Sequence, residues 1–121
     1  MSNATIGSAS SIAMSDYEIP AEWILEGNPD AKIWIHAQSA DKTVTHGVWQ
    51  CNASRFNWVH EGDDFVALLE GEVLVTEEGG DAHTLRAGDF GHMPIGTKTK
   101  WHVPEYIRKT FILRTPEPLQ L

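Results

Sequence analysis

The chain has one cysteine, Cys51, so no intramolecular disulfide can form and the fold must be held by its own core. A chain built that way suits a reducing compartment, and the cytoplasm is the expected location. Cations are scarce: nine Lys and Arg stand against 17 Asp and Glu, for a formal charge of -8. Nucleic-acid binders need clustered cations to displace counterions from phosphates, so that class of partner is not expected. Long apolar runs are missing too. No stretch approaches the roughly 18 residues of a membrane span, and the first basic residue is Lys32, so a secretory signal with its charged start is not expected. A sustained 3.6-residue period, an internal repeat and a glycine-rich phosphate loop are likewise absent.

What remains is a chain of 121 residues, 41% hydrophobic, which is enough for one domain with a core of its own. Residues 1–18 are mostly small and polar with scattered apolar side chains and no period, which predicts a disordered arm ahead of a single domain over residues 19–121. Asn28-Pro29-Asp30 is a strong turn signal. Beyond it, short alternating segments separated by turn residues predict strands over 32–38, 44–51, 55–59, 65–69, 72–76, 83–85, 89–93, 99–103 and 106–113. Short strands at near-regular spacing mean an all-β sandwich or barrel. Acidic residues crowd the middle of the chain, while Lys98, Lys100, Arg108, Lys109 and Arg114 fall near its end. Strands that far apart can pair in a barrel, so these charges are expected to meet across strands on the outer surface.

Several of these segments carry a resemblance. Gly47-Val48-Trp49-Gln50-Cys51, Arg55-Phe56-Asn57-Trp58, Leu69-Glu70-Gly71-Glu72-Val73, Arg86-Ala87-Gly88-Asp89, Pro94-Ile95-Gly96, Trp101 and Arg108-Lys109 follow one another in order and spacing. Together, over residues 21–113, they resemble the small cupins related to the (S)-ureidoglycine aminohydrolase cupin domain. The resemblance implies an all-β cupin fold, a double-stranded β-helix or jelly-roll barrel, forming a homodimer, with any site in the barrel mouth. The apolar lead-in Trp23-Ile24-Leu25, costly to expose alone, also favours a homodimer.

The cupin pattern holds a metal with three His and one Glu, and counting from Gly71 and Gly96 places those positions at Trp58, His60, Asp64 and Thr99. Only His60 and Asp64 carry metal-capable side chains, so the resemblance implies at most a weakly bound divalent transition metal. His92, two residues before Pro94, is the expected recruit as third ligand or as general acid and base. Trp58, His60, His92, Thr99 and Trp101 are expected to line a ligand pocket, whereas Trp49 and Cys51 are expected to pack. Period-2 alternation turns His102 outward, and His36, His46 and His83 are expected in solvent. The leading expectation is a protein that binds a small metabolite in the barrel cavity. The alternatives are a metal-dependent small-molecule enzyme of the aminohydrolase or isomerase sort, built on His60, Asp64 and His92, and a filled barrel that serves as an interaction surface.

Overall fold

A computed structural model describes residues 3–121. Its strands are β1 (Ser15–Asp16), β2 (Ile24–Gly27), β3 (Lys32–Gln38), β4 (Val44–Val59), β5 (Asp63–Glu77), β6 (Ala82–Arg86), β7 (Phe90–Met93) and β8 (Lys98–Arg114). One 3-10 turn, Ala21–Trp23, interrupts them, and no helix among the described residues is long and apolar enough to cross a membrane. All pairings are antiparallel.

The three long strands make the barrel, because each passes through both of its sheets. Residues 44–52 of β4 pair with β3 and with residues 106–114 of β8, which also pair with the first half of β5, and β7 extends that sheet. Residues 54–59 of β4 pair with β2 and with residues 98–103 of β8, which reach the second half of β5 and then β6. This is the two-sheet jelly roll of the cupin fold.

Six of the segments read separately from the sequence are thus halves of three strands. Their apparent breaks are bulges: the register shifts between Asn52 and Ser54 in β4 and between Leu68 and Leu74 in β5. The inward set moves accordingly, from Thr45, Trp49 and Cys51 to Ser54 and Phe56 in β4, and from Asp64, Val66 and Leu68 to Val73 and Val75 in β5. Pro104 sits in the β8 side of the first shift, where its missing N–H costs the ladder nothing. Gly71 occupies the second at φ 85°, and a Cβ there would lie 1.8 Å from the Tyr106 carbonyl oxygen.

The core between the sheets contains Cys51, Phe56, Val73, Trp101, Val103 and Ile107. It also reaches into the segment read as an arm. Ser15 and Asp16 pair with Ile33 and Lys32, the Tyr17 N–H donates to the Ala31 carbonyl at 2.9 Å, and Ile19 is buried. Strand pairing therefore reaches back to Ser15, ahead of residue 19. A composition of small polar residues conceals this, because the partners that capture Tyr17 and Ile19 are strands distant in sequence. Residues 1 and 2 of the expected arm lie outside the described residues.

Candidate functional site

The end of β4 and the start of β5 bring the first side chains together. His60 follows β4 directly, and Asp64 takes an inward position one residue into β5. The His60 Nδ1 and Asp64 Oδ2 atoms are 3.2 Å apart. Because a carboxylate only accepts, Nδ1 carries the proton, and Nε2 lies 2.9 Å from the Thr99 hydroxyl, which also reaches the Trp58 carbonyl at 3.3 Å. Thr99 Oγ1 in turn accepts the Trp101 indole N–H at 2.8 Å. His60 is 2% exposed, so this chain of four residues is a buried, fully partnered network. Burial alone would push the Asp64 carboxyl up, but the His60 hydrogen bond and, after it, the charge of Lys109 hold it below the ordinary carboxylate value.

The sequence placed Lys109 on the outer surface. It points inward instead, opposite Trp49 and Leu68, and is 9% exposed. Its Nζ lies 4.4 Å from the Trp101 ring centroid and 4.9 Å from that of Trp49. Burial lowers the pKa of this ammonium, and the nearby Asp64 and Cys51 offset the effect only in part. A signal for its position was present: past the bulge, Ile107, Lys109 and Phe111 share one face by period 2. The adjacent Arg108 made the pair look like a solvated charge cluster.

These residues surround a cavity of about 410 Å³. Tyr17, Trp49 and Trp58 supply aromatic wall, Ile33 and Ile35 aliphatic wall, and His60, Asp64 and Lys109 the polar groups. Trp58 holds the wall together, with its ring centroid 5.3 Å from Trp23, 5.9 Å from Trp49 and 6.2 Å from a stacked Tyr17. Trp23 therefore packs against this wall, and only Leu25 of the apolar lead-in is well exposed. Trp49 is buried, as expected of a packing residue, yet also borders the cavity.

The other expected pocket residues lie elsewhere. Trp101, 2% exposed, stacks on Phe56 and fills the barrel. Thr99 stands behind His60 and borders a separate hollow shared with Trp23 and Trp58. His92 is outside the barrel altogether, with its side chain 46% exposed and its ring stacked on Phe65 at 4.3 Å. The reason is register: Met93 pairs with Asp64 and takes the inward position, so His92, opposite Phe65, faces away. His92 therefore joins neither His60 nor Asp64 as ligand, and it is not placed for acid–base work in the cavity. His36 and His46 are not simply solvated either, since their Nδ1 atoms are 2.9 Å apart. Cys51 is buried and its thiol is pushed up to about 12, chiefly by desolvation, which makes it inert.

The sequence model of the EutQ-like cupin domain matches residues 38–111. The chain belongs to the EutQ-like cupin family. Among solved structures, an ethanolamine utilization protein Q from Salmonella typhimurium LT2 superposes with a TM-score of 0.73 at 20% identity, covering 93% of this chain and 85% of that one. A DUF861 family protein from Pseudomonas syringae gives a TM-score of 0.78 at 21% identity, over 85% of this chain and 45% of that one. A DUF861 family protein from Thermotoga maritima is 33% identical over 55% of this chain and 75% of its own, with a TM-score of 0.52. No curated protein matches the sequence significantly.

In this EutQ-like cupin the residues at the cupin metal positions do not fit a metal. His60 has a partner on each ring nitrogen, and so has no free lone pair aimed at an ion. Asp64 faces His60, and the Lys109 ammonium is near enough to lower the pKa of Asp64, a charge that would repel a cation. No group of three His, Cys, Asp or Glu side chains suited to an ion exists among the described residues. The expected weak metal thus has one imidazole and one carboxylate, already spent on each other.

Proposed function

We propose that this EutQ-like cupin is a binding module that takes a small organic molecule with a flat, apolar body into the barrel cavity. The observation that carries the reading is the cavity itself. Its volume of about 410 Å³ falls in the usual range for small-molecule sites, roughly 300–1,000 Å³. Its aromatic walls are interrupted by a few polar groups, the composition that holds a planar body and fixes its orientation. A filled barrel would leave no such space next to Trp49 and Trp58. Metal-dependent aminohydrolase or isomerase chemistry has only the ureidoglycine aminohydrolase resemblance behind it, and the donor set argues against it.

The same reading includes a homodimer. Phe65, Phe90 and Ile112 are exposed on or beside the sheet that contains β5, β7 and β8, and Phe65 pairs directly with Ile112. An apolar sheet face of that kind is better suited to a second copy than Leu25 alone.

The test of the cavity is titration with the neutral fluorophore N-phenyl-1-naphthylamine, whose emission rises in an apolar site. Saturable binding to the wild type, lost in Ile35→Trp or the milder Leu113→Phe and retained in His92→Ala, is the expected result. Binding unchanged by both cavity-filling variants would place the site elsewhere.

A further inference from the structure

Three hydrogen-bond donors in residues of the cavity wall have no acceptor. Lys109 Nζ makes no hydrogen bond or ion pair among the described residues; its near neighbours are the two indole faces. The Trp49 Nε1–H is buried without a partner. The Tyr17 hydroxyl has no partner among the described residues either. A buried donor with no acceptor bears the full cost of its desolvation, so the sealed Trp49 Nε1–H points to something that satisfies it, whereas Lys109 Nζ and the Tyr17 hydroxyl are not sealed in and stand open to a ligand in the cavity.

The acceptors available nearby are not free to do this. Asp64, on β5, is turned to the His60 Nδ1–H, and the Thr99 hydroxyl on β8 is held between His60 and Trp101. The Thr45 hydroxyl accepts from Gln38, and Glu18, Glu61, Gln120 and Leu121 border the cavity but are exposed to solvent. The unmet need is therefore for an acceptor inside the cavity, and one of the three donors is a cation.

We infer that the ligand of this cavity is a carboxylic acid with an aromatic body, whose carboxylate accepts from Lys109 Nζ while its ring lies against the wall of Tyr17, Trp49 and Trp58. The inference rests on the reading of the cavity as a small-molecule site and adds the chemical class of its occupant. A carboxylate is the acceptor that best answers a buried ammonium, since a charge-assisted hydrogen bond in a low-dielectric site is stronger than a neutral one. The indole faces hold the ammonium in place without consuming its donors, because the ring quadrupole attracts the cation and leaves its N–H groups to bond a ligand. Asp64 offsets this charge only in part, through space: no carboxylate oxygen of the described residues lies within 4.0 Å of Nζ to form a direct ion pair.

The experiment measures, by calorimetry, the affinity of the full chain for benzoate, phenylacetate and indole-3-acetate and for the three corresponding amides. At least one acid is expected to bind tenfold or more tightly than its amide. Lys109→Met, which keeps the length of the side chain and removes the charge, is expected to abolish that preference while N-phenyl-1-naphthylamine still binds and the melting temperature does not fall. Should Lys109→Met fail to fold, Trp49→Phe removes only one donor and is expected to weaken the acid more than the amide. Equal affinity for acid and amide, a preference that survives Lys109→Met, or no binding by any of the three acids while the fluorophore binds would each overturn the inference and leave the cavity as a site. Loss of fluorophore binding to the cavity would overturn the site itself.

Discussion

Replacing Thr99 by valine tests the buried network with almost no change of shape. Thr99 is 5% exposed, and its hydroxyl lies 2.9 Å from His60 Nε2 and 2.8 Å from Trp101 Nε1. Valine fills the same volume, so no void opens. What changes is that the indole N–H and the imidazole Nε2 both lose their partner, while the Trp58 carbonyl loses only a long contact at 3.3 Å. A buried polar group left unsatisfied costs about 1–3 kcal/mol, so the two together bound the loss at about 2–6 kcal/mol. His60 borders the cavity, where water can replace the hydroxyl, whereas Trp101 is sealed in the core. Thr99→Val should therefore lose about 2–4 kcal/mol. Thr99→Ser keeps the hydroxyl and removes one methyl, for about 1 kcal/mol. Urea unfolding of the three proteins with a common m-value gives the comparison. If Thr99→Val came within about 0.5 kcal/mol of wild type, or matched Thr99→Ser, the hydrogen bonds would not be holding Trp101 and His60 in place.

Gly71→Ala should destabilise by more than about 2 kcal/mol, since it combines a left-handed backbone with a Cβ 1.8 Å from the Tyr106 oxygen; urea unfolding reads it, and a loss under 1 kcal/mol would mean the bulge relaxes freely. Two acid transitions are expected. His46 is pushed below 6.5 by burial and by His36, so the folded state binds fewer protons there and stability falls as pH drops through 6.5 toward the folded value. Asp64 is held below 3.8, so its contribution is present above 3.8 and disappears only as pH falls through its lower folded value. His46→Gln should remove the first loss and leave the second, as followed by melting temperature against pH; an unchanged profile just below pH 6.5 would refute the histidine assignment. If the apolar outer face pairs two copies, Phe65→Asp should convert a dimer to a monomer in light scattering at micromolar concentration without emptying the cavity, and a monomeric wild type would rule the pairing out.

Local pattern made much of this protein legible in its sequence. Period-2 alternation and turn residues between 32 and 113 place strands where strands occur, and the ordered cupin segments identify the barrel. Counting from Gly71 and Gly96 singles out His60, Asp64 and Thr99, which the fold joins in one hydrogen-bonded network. Those signals depend on spacing along a single stretch of chain, and spacing is what a sequence records.

Position across strands is different, because it depends on register. A bulge inserts a residue and exchanges the two faces of everything beyond it, and whether Asn52-Ala53 or Pro104-Glu105 is a bulge or a turn is decided by the strand on the other side. Lys109 became a buried cation and not a surface charge because Trp49 and Leu68 stand opposite it. His92 left the site because Met93 meets Asp64. Tyr17 joined the wall because Trp49 and Trp58 wait for it some 30 and 40 residues on along the chain. Alternation along the chain determined which residues share a face, and only pairing between distant strands decided which face is inside.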